Sequence, residues 1–294
     1  MTTASATEFC LPGLVRTAVQ SRATVVEHVQ MARNTWRMRL KCPEIARQIL
    51  PGQFFMVRLA GRSDPLLGRP FALYDVHGND PPDSLDFGYV VVGKMTSLLE
   101  SVRPGDAVEL WGPLGNGFPL PPAGHLAIVA GGIGQTPFLA VVREALKRRT
   151  YGLPARHVKE SPERITLCYG VRSKQYLAGV EEFEREGIDV RIATDDGSAG
   201  HHGFVTDLLR QLLEGHTPPS AVYCCGPEPM MHAVSRLTVS AKVPCWLSLE
   251  TPMACGFGAC FSCVTKVRQD DGTWDYRRVC VEGPVFPANQ IVFE

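Results

Sequence analysis

Apolar and polar residues alternate in short runs through the first 120 positions of the chain: LVRTAVQ, ATVVEHV, TWRMRLK, QFFMVRL, PFALYD, LDFGYVVV and AVELWG. A period of two is what a strand with one buried face requires, because successive side chains point to opposite sides. Turn formers separate the runs, among them Pro51-Gly52, the stretch 77–80 (HGND) and Pro104-Gly105-Asp106. Six or seven strands at this spacing predict a small antiparallel barrel over residues 12–120, interrupted by a short helix over 96–102.

After the proline-rich stretch 119–122 the period changes. LAIVA, ITLCYG, DVRIATDD, AVYCCG and CWLSL read as short buried strands, and TPFLAVVREALKRR, VEEFEREG, VTDLLRQLLEG and EPMMHAVSRLTV as the helices between them. Strands alternating with helices predict a Rossmann-like parallel sheet, assigned to residues 121–246. The segment 149–163, with Pro154, Pro162 and mixed charges, reads as an exposed loop, a tolerated insertion rather than a partner contact. From 247 to 294 the pattern is irregular and rich in cysteine and glycine, a small segment held together by something other than a large apolar core. The predicted class is β + α/β.

Composition narrows the function. Lys+Arg and Asp+Glu both number 30, so no basic field exists for nucleic acid or a membrane surface. The apolar stretch 125–142 is broken by glycines and Pro137 where a spanning helix would be strongest, so it reads as strand, turn and helix. The first residues lack the charged and apolar regions of a secretory signal, and a soluble, cytoplasmic protein is expected. No Ser/His/Asp or Cys/His arrangement stands out for hydrolysis, and adjacent His201 and His202 read as solvent-facing.

Ten cysteines in a reducing compartment do not form lasting disulfides. Cys10, Cys42, Cys168, Cys224, Cys225 and Cys245 are scattered, as buried small hydrophobes are. The other four follow Cys255-x4-Cys260-x2-Cys263-x16-Cys280, the plant-type order of thiolates for a [2Fe–2S] cluster. Gly256 and Gly258 let the backbone curl round a bulky anionic core and free N–H groups to face sulfur. Structural zinc is the alternative, but its four-cysteine sites usually pair two C-x2-C knuckles and only Cys260 and Cys263 form one here.

A glycine turn, Gly131-Gly132-Ile133-Gly134, follows an apolar strand and opens a helix, where a pyrophosphate can approach backbone N–H groups. Two later strand ends carry Asp195-Asp196 and Cys225-Gly226-Pro227. Ligands of open parallel sheets gather at the carboxyl ends of strands, so these segments outline one dinucleotide edge. The Asp195-Asp196 pair would repel a 2′-phosphate and favour NAD, unless it is simply a solvated turn.

Leu249 through Cys263 (LETPMACGFGACFSC), with CVEGPVF from Cys280, resembles the cluster loop of dihydroorotate dehydrogenase electron-transfer subunits, within the ferredoxin-reductase-like flavoproteins. GPLGNGF at 112–118 and the stretches TDDGS and GFVT resemble that family's junction and mid-domain segments in the same order. The resemblance implies an FAD site at Arg69, Pro70, Phe71, Ala72 and Leu73, with Arg69 on the pyrophosphate, and at Gly93 and Thr96. Ala72 stands where the family has serine, and Met95 where it has glycine. It also implies a route: an FMN-containing catalytic partner, in a hetero-oligomer expected to be a heterotetramer, oxidises dihydroorotate, and electrons pass through [2Fe–2S] and FAD to NAD⁺. Cys225 is then expected beside the nicotinamide, and Glu250 near the flavin or as an ordinary polar contact. Two alternatives stand: a reductase subunit serving another partner, of sulfide dehydrogenase or ferredoxin:NADP⁺ reductase type, and a non-catalytic nucleotide-sensing module with a zinc-stabilised tail.

Overall fold

The computed structural model describes residues 14, 15 and 17–293; Cys10 and the start of the 12–120 span lie outside them. Seven strands build the first sheet: β1 (Val19–Ala32), β2 (Thr35–Lys41), β3 (Phe54–Leu59), β4 (Arg69–Ala72), β5 (Asp75–His77), β6 (Ser84–Val90) and β7 (Ala107–Leu114). They are antiparallel throughout, in the order β4-β3-β7-β1-β2-β6-β5. Short helices α1 (Pro43–Ala46) and α2 (Lys94–Leu99) interrupt the series, the second close to the expected 96–102.

Two expected strands fuse and one splits. The end of LVRTAVQ, Val19 and Gln20, and all of ATVVEHV belong to the single strand β1, whose register shifts at Val25/Glu27 and Gln30/Ala32 let it bend instead of turning. PFALYD breaks at Leu73-Tyr74, where the chain changes partners: Leu73 N–H donates to Gln53 O beside β3, and Tyr74 N–H donates to Asp86 O on β6. That exchange brings the two ends of the sheet together, and Phe71 of β4 packs on Phe87 of β6 at 4.6 Å between ring centres.

The second sheet has seven strands, six of them parallel. Its parallel strands are β8 (His125–Gly131), β9 (Arg164–Val171), β10 (Asp189–Thr194), β11 (His201–His202), β12 (Ala221–Cys225) and β13 (Cys245–Ser248). Period two again divides the faces. Ala127, Val129, Val222 and Cys224 pack under α5 (Val205–Leu213) and α6 (Glu228–Ala241). Leu126, Ile128, Ala130 and Tyr223 pack under α3 (Phe138–Ala145) and α4 (Val180–Arg185).

The irregular tail is tied back to this sheet. A hairpin of β14 (Val264–Arg268) and β15 (Trp274–Arg278) follows the cluster loop, and β16 (Val285–Pro287) then pairs antiparallel with β13. Residue 247 therefore lies inside β13, and the last segment shares its core with the second sheet. The stretch 149–163 is anchored rather than loose, which corrects its reading as a plain exposed loop. Tyr151 is buried, and the Arg156 guanidinium donates to both Glu144 carboxylate oxygens at 2.7 and 2.6 Å and to Phe118 O at 2.7 Å.

Charged networks join barrel to sheet. Arg37 of β2 pairs with Glu182 of α4 at 2.6 Å, and the Tyr74 hydroxyl donates to the same carboxylate. Asp75, fully buried, accepts from the Tyr151 hydroxyl at 2.6 Å and pairs with Arg143 of α3. Replacing Asp75 by alanine leaves Tyr151 and Arg143 without their buried acceptor and is expected to cost about 3 kcal/mol in chemical unfolding; a loss under about 1 kcal/mol would show that water replaces it. Burial works to raise the buried Asp86 carboxyl, but hydrogen bonds from His77 and Arg39 outweigh it and hold the pKa below 3.8. Its stabilising contribution is thus full above the ordinary value and lost as pH falls through the lowered one. Asp86→Asn should flatten the loss of stability measured in acid below that ordinary value of 3.8.

Candidate functional site

The chain reverses direction across the second sheet between β8 and β12: β9 and β10 are added on one side of β8, β12 and β13 on the other. The crevice at such a switch point is where open parallel sheets bind ligands. Here the turn after β8 meets the turn after β12 with no space for side chains. A Cβ on Gly134 would lie 2.6 Å from the Cys225 carbonyl carbon, and one on Gly226 3.0 Å from Gly131 Cα. A Cβ on Gly131 would strike Met230 Sδ at 2.7 Å. Gly132 differs: it adopts φ +55° and has nothing within 4 Å, an open backbone position facing the crevice. Gly132 therefore has open space beside its backbone, while the other three glycines also serve the contact between the two turns; all four line cavities at the crevice.

Three cavities meet at Ile133. The first, of about 650 Å³, is lined by Arg69, Pro70, Phe71, Ala72, Gly93, Met95 and Thr96 from the barrel. Ile133, Thr136, Pro137 and Cys225 of the sheet line it too, with Glu250, Pro252 and Met253 ahead of the cluster loop. The sequence-predicted flavin residues thus come together, with one exception. Leu73 is fully buried in the barrel core, and its N–H is used by Gln53, so it does not reach the cavity. Met95 packs into the barrel core at 2% exposure, which explains how a side chain is accommodated where the family has glycine. The Thr96 hydroxyl accepts from Val92 and Gly93 N–H at 2.9 and 3.0 Å, so it fixes the entry to α2. Arg69 caps its own loop through Leu67 O and Gly68 O at 3.0 and 3.1 Å, leaving a cation at the cavity wall. A cation beside an aromatic and apolar wall fits a flavin dinucleotide.

A second cavity, of about 630 Å³, holds Gly131, Gly132, Asp195, Pro227 and Met230, with Arg172 and Tyr176, which the sequence reading missed. Asp195 and Asp196 do not act as a pair. Asp196 accepts from Ser198 N–H at 3.0 Å and from its hydroxyl, which holds the carboxyl below its ordinary range, and only Asp195 lines the cavity. A third cavity, of about 590 Å³, lies between Gly131–Gly134, Gly226-Pro227-Glu228 and the β14–β15 hairpin. Cys225, buried beside Ser248, keeps its thiol protonated because burial raises its pKa.

The four clustered cysteines lie together: Cys260 interacts with Cys255, and Cys280 with both Cys263 and Cys255. Among the described residues no three His, Cys, Asp or Glu side chains converge as ligands of one ion. Four thiolates from one loop and the segment after it are the ligand set that would hold a [2Fe–2S] cluster. Cys260 is exposed and its pKa is lowered to about 6, chiefly by a hydrogen bond with Ser262, while Cys280 is buried and raised. The barrel holds the loop in place: Trp111 Nε1 donates to Cys255 O at 2.8 Å. Asn116 bridges to the segment after Cys280, donating to Glu282 O and Val285 O at 3.1 and 2.9 Å.

Three family models match this arrangement in order: an oxidoreductase FAD-binding domain over residues 22–118, an oxidoreductase NAD-binding domain over 128–236, and the iron-sulfur cluster binding domain of dihydroorotate dehydrogenase B over 250–292. The dihydroorotate dehydrogenase B (NAD(+)) electron transfer subunit of Desulforamulus reducens is 38% identical over 273 residues, covering 92% of this chain and 98% of that one. This chain belongs to that family. The subunit of Bacillus caldolyticus is 36% identical, covering 93% and 98%. Among solved structures, the NADH-dependent reduced ferredoxin-NADP oxidoreductase studied for flavin-based electron bifurcation superposes with TM-score 0.77 at 27% identity, covering 92% of this chain and 89% of that one. The ferredoxin reductase in carbazole 1,9a-dioxygenase, at 21% identity and TM-score 0.63 over 77% and 67%, shares the fold. The chain is an oxidoreductase subunit with FAD, NAD and iron–sulfur domains, and no helix among its described residues is long and apolar enough to cross a membrane.

Gly256, at φ +80°, carries the loop past the barrel, and a Cβ there would lie 2.6 Å from Met56 Cγ. Gly256→Val should lift the loop from the barrel and lower iron per chain to below half of wild type, while flavin is retained. Iron content at the wild-type level would show that the loop tolerates the displacement.

Proposed function

We propose that this chain carries electrons from an FMN-containing dihydroorotate dehydrogenase subunit to NAD⁺, in pyrimidine biosynthesis. One observation carries the reading: the 650 Å³ cavity is walled at once by the barrel, by the nucleotide crevice and by the residues leading into the cysteine loop. When bound, the cofactors supply the chemistry, the cluster passing single electrons, FAD exchanging these for a hydride, and NAD⁺ accepting it.

The chain's own residues position these groups. Cys255, Cys260, Cys263 and Cys280 hold the cluster. Arg69 neutralises the flavin pyrophosphate, while Pro70, Phe71, Ala72, Gly93 and Thr96 shape the wall against the ring. Gly132 admits the NAD pyrophosphate, Gly131, Gly134, Gly226 and Pro227 shape its crevice, Asp195 accepts from a ribose hydroxyl, and Cys225 borders the nicotinamide. Exposed Phe257 and Phe261, on either side of exposed Cys260, form the face for the catalytic partner, in a heterotetramer. The nine described cysteines are all free, which suits the cytoplasm. Arg172, in the same cavity as Asp195, is the feature that favours a second reading, an NADP-linked reductase subunit.

Co-expression with an FMN-containing dihydroorotate dehydrogenase subunit should yield a complex that reduces NAD⁺ with dihydroorotate, at least about tenfold faster than NADP⁺. A cofactor-replete complex that is inactive with dihydroorotate, or faster with NADP⁺, would move the assignment to the second reading.

A further inference from the structure

The three cavities meet at Ile133 but share walls unequally. Gly131, Gly132, Ile133 and Pro227 line both the second cavity and the third. Ile133 and the stretch Leu249-Glu250-Thr251 line both the third cavity and the flavin cavity. A dinucleotide with its adenosine beside Asp195 and its pyrophosphate over open Gly132 is thus led into the third cavity, and from there to the flavin. That path rests on the function proposed above.

The far wall of the third cavity belongs to a different part of the chain. Lys266 of β14 and Tyr276 of β15 line it, and they form a cross-strand pair, so their side chains leave the same face of the hairpin. The Lys266 ammonium lies 4.7 Å from the centre of the Trp274 ring, and that ring meets Tyr276 edge-on at 5.3 Å. The three side chains therefore brace one another at the edge of the cavity. The Tyr276 hydroxyl has no hydrogen-bond partner among the described residues and can take one from a ligand.

Charge singles out Lys266. Glu228 and Glu250 both line this cavity, and Lys266 is the one cation among its described lining residues. A phosphate that enters beside two carboxyl groups needs a positive charge within reach. The hairpin that carries this charge is also built on the cysteine loop: β14 begins directly after Cys263, and β15 ends two residues before Cys280. It falls outside the 128–236 match to the NAD-binding domain.

We infer that the β14–β15 hairpin binds the nicotinamide half of NAD, Lys266 pairing with its phosphate and the Tyr276 hydroxyl hydrogen-bonding its ribose. The adenosine half stays with Asp195 in the second cavity, beyond the reach of the hairpin. The dinucleotide site is therefore completed by the segment that holds the cluster. Binding of the whole dinucleotide depends on the hairpin, and binding of its adenosine half alone does not.

That difference between the two halves supplies the test. Wild-type, Lys266→Met and Tyr276→Phe proteins, loaded with FAD and cluster, are titrated calorimetrically with NAD⁺ and, separately, with AMP. Lys266→Met should weaken NAD⁺ binding by about tenfold and Tyr276→Phe by about fivefold, with AMP affinity unchanged within about twofold. In wild-type protein, backbone hydrogen exchange over 264–268 and 274–278 should slow on saturation with NAD⁺ and not with AMP. NAD⁺ affinity that is unchanged in both cofactor-replete variants, or lowered together with that of AMP, would overturn the assignment. Should a variant lose flavin or cluster, NAD⁺ binding to wild type that leaves exchange in the hairpin unaltered would overturn it equally. Wild-type protein that binds no NAD⁺ would instead overturn the function on which the assignment rests.

Discussion

The close approach of two backbone turns, one after β8 and one after β12, is the constraint on which the rest of the molecule depends. No Cβ fits on Gly134 or Gly226, so the strand ends touch backbone to backbone, and Ile133 projects to the point where three cavities meet. A bulkier turn would push β8 and β12 apart, and the cavities for flavin and dinucleotide would lose their shared wall. Gly88 of the barrel meets the same turn from the other side, where a Cβ would lie 2.6 Å from Thr136 Cγ2.

Around that point the chain is stitched rather than merely strung together. β16 returns the tail to the second sheet, Asn116 ties the barrel exit to the same tail, and Trp111 holds the cysteine loop against the barrel. The buried Asp75 carboxylate, paired with Arg143, and Arg37, shared between Asp86 and Glu182, fix the barrel on α3 and α4. Electron transfer between cofactors asks for fixed spacing, and these contacts supply rigidity on every side of the flavin cavity.

Much of this was legible in the sequence because its signals are local. Period-two alternation located the barrel strands, strand–helix alternation the parallel sheet, and thiolate spacing the cluster. Most of the misses are non-local. That β1 is one bent strand depends on its pairing with β2 and β7 at opposite ends. The split at Leu73-Tyr74 depends on partners in β3 and β6, and it explains why Leu73 turns into the core and away from the flavin space. Asp196 looked like half of an acidic pair, but a serine two residues on captures its carboxylate. Arg156 looked like a loop charge because its buried partner, Glu144, lies on a helix before it. Glu250 was visible as a residue, but not as the carboxyl shared by two cavities, since that needs the sheet, the barrel and the hairpin assembled at once.

On the function proposed above, NAD, FAD and a binuclear cluster form one circuit through this chain alone. Anaerobic titration of the purified, cofactor-loaded chain with NADH, followed by electron paramagnetic resonance, tests that most directly. The predicted result is bleaching of the flavin absorbance together with the signal of a reduced [2Fe–2S] cluster. Flavin bleaching with a cluster that stays oxidised at excess NADH, or a chain that holds zinc in place of iron, would contradict it.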